Sequence, residues 1–343
     1  MDAIVLLLGL VLGLILTGVV YQHIGAWRDR LRFTHLGRWV RIRGGQNLFV
    51  VERGSTGPTV VFESGIAATH LNWHRIQDAV SSFARTIAYD RAGLGWSSPC
   101  TSARTPSKVA SELHDLLEEA RIAPPYVLVG HSFGGFVMRR FAALYRDEVA
   151  GVLLVDPMRC DEWPPVDETK RGTVERGARL CGFAIPIAHI GVARLAVTSL
   201  LCRSGRVSRW LTQAGGDGAE HVMGRVREEI GKMPPETWPM VAAHWSRPSF
   251  YAGMRAHVEA VPDSVREMLT AEPMRGVPVV VLTPDSSKSL PEEALRCIGE
   301  NVEQIIVPHS AHWLHLDQPQ IVIETIRSLA ESSSQRAGAA ISR

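Results

Sequence analysis

Gly130-His131-Ser132-Phe133-Gly134 sets a serine between two glycines at the end of a short apolar run, Tyr126 to Val129. A helix-like stretch follows, carrying Phe136, Val137, Met138, Phe141 and Leu144 on its apolar positions. Gly-x-Ser-x-Gly between strand and helix is an arrangement for nucleophilic catalysis. Ser132 on a sharp turn would point its hydroxyl out of the sheet, and a Cβ at Gly130 or Gly134 would crowd that turn. The helix start aims amides at the hydroxyl, so the Phe133 N–H is a candidate oxyanion donor. The same pentapeptide also describes an ordinary glycine-rich turn, so partners must decide.

A serine nucleophile needs a base, and the base needs an orienting carboxylate. Three histidines cluster late in the chain: His309, His312 and His315. Two aspartates end apolar runs upstream of them, Asp156 and Asp285. Ser…Asp…His is one of the chain orders such triads use. There is no His-x-x-x-His pair with a glutamate and no dinucleotide glycine fingerprint, so neither metal nor cofactor is expected. The 37 basic and 35 acidic residues leave a net charge of +2 with no charged block, which argues against a nucleic-acid partner. Five scattered cysteines (Cys100, Cys160, Cys181, Cys202, Cys297) form no CxxC pair and no disulfide framework, as fits a reducing compartment.

The elements that must position these residues alternate. Strands are expected at Trp39–Ile42 and Leu48–Glu52, joined by a turn at Arg43-Gly44-Gly45-Gln46, then at Pro58–Glu63 and Arg85–Tyr89. A helix follows Thr105 and Pro106, with Val109, Leu113, Leu116 and Leu117 on one face. After the Ser132 strand and helix, Gly151–Val155 is a buried strand ending in Asp156. Residues 158–273 read as interrupted helices, an inserted cap. Alternation resumes with Val277–Leu282, a helix over Pro291–Ile298, the strand Gln304–Val307 and a last helix from about Asp317. Strand–helix alternation implies a mostly parallel sheet covered on both faces.

The chain opens on an apolar run of 18 residues, Ala3 to Val20, roughly 27 Å long as a helix. A cleaved signal peptide is the competing reading. Asp2 precedes the run, no Lys or Arg does, and the run exceeds an h-region of roughly 7–15 residues, so an uncleaved anchor is favoured. Arg28, Arg30, Arg32, Arg38, Arg41 and Arg43 follow, which places that flank and the catalytic domain in the cytoplasm. The organisation expected is an anchor over 1–22, a basic linker over 23–37, a core over 38–157 and 274–330, a cap over 158–273 and a flexible tail over 331–343. Within the cap, Cys181 to Cys202 is apolar and long, but Pro186, His189 and Arg194 interrupt it. A second span is disfavoured. A core helix pair in the lid, or an apolar wall of a substrate funnel, is expected instead.

Over residues 38 to 330 the chain resembles the α/β-hydrolases. The resemblance rests on Gly130 to Gly134, on Asp90 to Ser97 as Asp-x-x-Gly-x-Gly-x-Ser, on Ser64-Gly65-Ile66 after the third strand, and on Ala311-His312-Trp313 before the last helix. It implies Ser132 as nucleophile, His312 as base in preference to His309 or His315, and the amides of Ile66 and Phe133 as the oxyanion hole. Ser64 departs from the family's usual histidine, but the donor there is a backbone N–H, so Ile66 can still serve. Asp90 and Arg91 are expected to be structural. The family often takes its acid from a Gly-x-x-Asp after the seventh strand, an offset that falls here on Ser287. Asp285 would need a tighter turn. Asp156, ending the strand beside the nucleophile strand, is favoured, with Asp285 the alternative. The activity implied is hydrolysis of a small-molecule or lipid-like carboxylic ester with an apolar acyl group. A carbon–carbon bond hydrolase, a haloperoxidase, an amidase and a non-catalytic scaffold of the same fold are the alternatives.

Overall fold

The computed structural model describes residues 2–201, 228 and 230–341. Eight strands form one sheet: β1 Arg38–Arg41, β2 Asn47–Arg53, β3 Thr59–Glu63, β4 Arg85–Asp90, β5 Tyr126–His131, β6 Val149–Val155, β7 Val279–Pro284 and β8 Val302–Val307. Their order is β1-β2-β4-β3-β5-β6-β7-β8. The first two pairings are antiparallel and the rest parallel. This is the α/β-hydrolase fold.

Helices, numbered along the described chain, are α1 Asp2–Phe33, α2 His74–Val80, α3 Pro106–Glu119, α4 Phe133–Leu144, α5 Arg171–His189 and α6 Val192–Leu201. Then come α7 Trp238–Trp245, α8 Pro248–Glu259, α9 Val261–Leu269, α10 Glu292–Ile298, α11 Leu314–Asp317 and α12 Pro319–Ile341. Successive strand residues point to opposite faces, and the core follows that period. Val61, Leu128, Val152, Leu154, Val279 and Val281 join one apolar cluster with residues of α3 and α4. Their neighbours Val60, Phe62, Val127, Val129, Leu153 and Leu282 join another with α2 and α12. Apolar runs without alternation are thus strands buried on both faces.

The chain divides into two compact units, residues 1–36 with 176–255, and residues 37–175 with 256–343. Segments 158–175 and 256–273, expected in the cap, group with the sheet. In the first unit, α1 is one continuous helix, so the segment expected as a linker stays helical to Phe33. Among the described residues it is the one helix long and apolar enough to cross a membrane. The apolar segment from Cys181 becomes α5 and α6, bent by 98° at the break between them. It is not a core pair throughout, because Leu180, Phe183, Ile187, Val192 and Leu195 are exposed. Cys202 lies outside the described residues. In the second unit, α12 continues to Ile341, past the expected start of a frayed tail, as Gln335, Arg336, Ala337, Ala339 and Ala340 favour helix.

Leu128 is wholly buried at the centre of β5, whereas Leu144 at the end of α4 is half exposed. Leu128→Ala should cost about 2–5 kcal/mol of stability, and Leu144→Ala within about 0.5 kcal/mol. Thermal melts of the purified variants compare them directly.

Candidate active site

Ser132, Asp156, His312 and the two expected oxyanion donors all belong to the sheet-containing unit. Ser132 caps α4 with φ 54° and ψ −120°, a conformation costing a non-glycine residue on the order of 1–3 kcal/mol. Three backbone hydrogen bonds hold it: the Ser132 N–H donates to Val155 O (3.1 Å), and its carbonyl accepts from Gly135 N (2.9 Å) and Met158 N (3.0 Å). A Cβ on Gly130 would lie 2.6 Å from Gly134 O, and one on Gly134 would lie 2.5 Å from Glu63 O. Both glycines are there to let backbones touch.

Asp156 follows β6 with φ 39°, its N–H donating to Leu282 O at 2.8 Å. The turn brings Asp156 Oδ2 to 2.7 Å from His312 Nδ1. Asp285 does something else. Its two oxygens accept the N–H groups of His309 (2.9 Å) and Ser310 (3.2 Å), and these bonds hold its exposed carboxyl below the usual range. His309 takes a left-handed φ of 54° there, and His315 packs on Trp73 with ring centroids 4.7 Å apart. His312 Nδ1 pairs with Asp156, and its ring is about half exposed.

The loop carrying His312 is tied at three points. Asp285 takes its first two amides, Asp317 Oδ2 accepts Ala311 N–H at 2.9 Å, and His131 Nε2 donates to His312 O at 2.7 Å. His131 is completely buried. Desolvation first, then its neighbours His315 and His312, push its pKa well below the ordinary imidazole value, so it stays neutral. Because the carbonyl can only accept, Nε2 carries the proton. Sequence reasoning passed over His131, although its place beside Ser132 was a signal.

The Ser64–Ile66 loop is braced from below. Arg91 is buried and donates from Nη1 to Ser64 O (2.9 Å) and Glu63 Oε1 (3.2 Å), and from Nη2 to Gly65 O. Its guanidinium carbon lies 5.3 Å from the centre of the Phe133 ring, so one side chain supports both segments expected to supply oxyanion donors. Burial raises the Glu63 carboxyl, while Arg91 and the Tyr89 hydroxyl pull it down. Asp90, also buried, accepts His70 N–H (3.1 Å) and Trp96 N–H (3.0 Å). A Cβ on Gly65 would sit 3.3 Å from Ser132 Cβ, so this loop passes directly against the serine.

Other features lie elsewhere. A cavity of about 700 Å³ opens at the starts of β7 and β8, lined by Pro278, Glu300, Asn301 and Ser328, at the end of the strands opposite Ser132. His114, Asp115 and Glu118 lie close enough to share an ion, yet Arg43 Nη2 is 2.6 Å from Glu118 and His114 stacks on Tyr145.

Lysine in place of Arg91 keeps a charge beside Glu63 but cannot fork across two carbonyls. Arg91→Lys should therefore slow phosphonylation of Ser132 by a fluorophosphonate roughly 10²-fold, the cost of a small misplacement of reacting groups. Stopped-time labelling measures it, and an unchanged rate would refute the bracing role.

The alpha/beta hydrolase family model matches residues 60–325. The uncharacterized protein YqjL of Bacillus subtilis is 33% identical over 105 residues, 31% of this chain and 42% of that protein. A (lyso)-N-acylphosphatidylethanolamine lipase of Bos taurus is 33% identical over 127 residues, 35% of this chain and 37% of the lipase. The chain spans less than half the length of either relative. A putative epoxide hydrolase from Pseudomonas aeruginosa superposes with a TM-score of 0.63 at 19% identity, covering 87% of this chain and 97% of that one, a likeness of fold alone. With the matched span enclosing Ser132, Asp156 and His312, the chain belongs to the alpha/beta hydrolase family.

Proposed function

We propose that the protein is a serine hydrolase of carboxylic esters with apolar acyl groups, held at a membrane by α1 with its catalytic unit on the cytoplasmic side. The observation that carries the chemistry is the 2.7 Å contact between Asp156 and His312 in the unit that holds Ser132 on its strained turn. Ser132 Oγ attacks the acyl carbonyl while His312 Nε2 takes its proton, and Asp156 holds Nδ1–H and stabilises the imidazolium. The amides of Ile66 and Phe133 receive the developing oxyanion. Collapse expels the alcohol, protonated by His312, and leaves an acyl ester on Ser132. Water, deprotonated by the same imidazole, then releases the acid.

Epoxide hydrolases and dehalogenases of this fold usually carry aspartate at the position of Ser132, which speaks against those reactions here. The bovine relative acts, by its name, on an N-acylated phospholipid, which supports an acyl-bearing lipid as the substrate class. No metal or cofactor enters the scheme, and no nucleic acid is a partner.

Ser132→Ala should abolish fluorophosphonate labelling and lower ester turnover by about 10⁶-fold. Asp156→Asn keeps the shape and removes the charge, so its kcat should fall about 10⁴-fold. Asp285→Asn can still accept one loop amide and should stay within about tenfold of the parent. Turnover of p-nitrophenyl esters of graded chain length reads all three, with anilides alongside to separate an amidase. An active Asp156→Asn, or an inactive Asp285→Asn, would reverse the assignment of the acid.

The hydrophobic α1 and the arginines after it support a single span with its N-terminus outside. The chain should resist carbonate extraction, and its catalytic unit should be digested by protease only once the cytoplasmic face is opened. Release by carbonate, or digestion from the outer face, would overturn the topology.

A further inference from the structure

The elbow between α5 and α6 is built against α1. A Cβ on Gly18 would collide with the Ile190 carbonyl, and one on Gly191, which has φ 75°, would lie 2.6 Å from Gly18 O. The two backbones touch through paired glycines, the packing device of helices in lipid. One turn and more along α1, polar groups take over. Arg194 donates from Nε to Gln22 Oε1 (2.9 Å) and from Nη1 to Asp29 Oδ2 (2.6 Å), and Gln22 Nε2 donates to Ser246 O (2.9 Å). Arg194 is the single Lys, Arg, Asp or Glu between Cys181 and Leu201, and Asp29 answers its charge.

This contact fixes depth. The apolar run ends at Val20, so Gly18 and the elbow lie roughly 3 Å inside its boundary, and Gln22 and Asp29 lie beyond it. Around the elbow, Leu180, Phe183 and Ile187 form an exposed stripe of α5, and Val192 and Leu195 extend it on α6. Phe183 is 69% exposed, far more than a solvated helix needs to show. Arg176 and Arg179 stand at the polar end of that stripe, where headgroup phosphates would lie. The aromatic Tyr21 of α1 is exposed just past the boundary, as in an interfacial belt.

From this continuity with α1 we infer that the α5–α6 elbow is an interfacial membrane element, its apolar stripe seated in the same leaflet that α1 leaves. It is not a second span, because the 98° bend turns the chain back. The cap is thereby clamped to the lipid surface by its own residues, with a partner that is lipid rather than protein. The inference rests on reading α1 as a membrane helix.

The test uses the full chain in phosphatidylcholine vesicles carrying a diazirine-tailed phosphatidylcholine. After photolysis, adducts are mapped by peptide mass spectrometry. Adducts should fall on residues 180–195 as well as on α1, ~tenfold above those on exposed α10. Phe183→Asp with Ile187→Asp should remove them from the elbow and leave α1 labelled. Adducts on α1 without the elbow overturn the inference and spare the span. Adducts on neither refute the span and the inference together. A stable dimer in the vesicles, with elbow-to-elbow cross-links replacing lipid adducts, would give the surface to a second copy and overturn it too.

Discussion

A serine side chain leaves the sheet at an attacking angle only if its backbone enters a region that L-residues avoid, and Ser132 does so with φ 54°. That cost, on the order of 1–3 kcal/mol, must be met by neighbours that over-determine the turn. Three backbone hydrogen bonds do this, each contributing about 1 kcal/mol net. Two of the three tie the turn to β6 and the segment after it, so the strand that steadies Ser132 is the one whose end presents Asp156. The glycines at 130 and 134 follow from the same constraint, since each sits where another backbone leaves no room for a Cβ.

Around that turn the charged residues act mainly as scaffolding. Arg91 with Glu63, and Asp90 with the amides of His70 and Trp96, are buried groups whose hydrogen bonds end on loop backbone. Breaking one partner of such a set leaves an uncompensated charge, which is costly, so the loops are held stiffly. Asp285 and Asp317 do the same from the surface for the loop of His312. His131 adds a neutral donor that cannot easily charge where it is buried. The geometry around Ser132 is thus set by backbone anchored to side chains, and the His312 imidazole is left about half exposed.

What could be read from the chain was what is local. The two-faced strands announced themselves as apolar runs, and Gly130 to Gly134 carries its turn in its own residue types. Which aspartate meets His312 was harder to read, because both end strands of one sheet and the contact depends on a positive φ at residue 156 that no spacing encodes. The roles of Asp285 and His131 are contacts to backbone 24 and 181 residues away, invisible to any periodicity. The segment from Cys181 is a different case. A core pair in the lid and an apolar funnel wall were both readable from composition, and the exposure of Phe183, Ile187, Val192 and Leu195 was not.

On the proposed mechanism Ser132 carries a covalent acyl group during turnover. Mixing enzyme with a slow-turnover p-nitrophenyl ester, acid-quenching within the burst and sequencing the peptide by mass spectrometry measures this directly. The acyl mass should fall on Ser132, with a burst of about one p-nitrophenolate per active site. An adduct on a carboxylate such as Asp156, or turnover with no adduct at all, would contradict it.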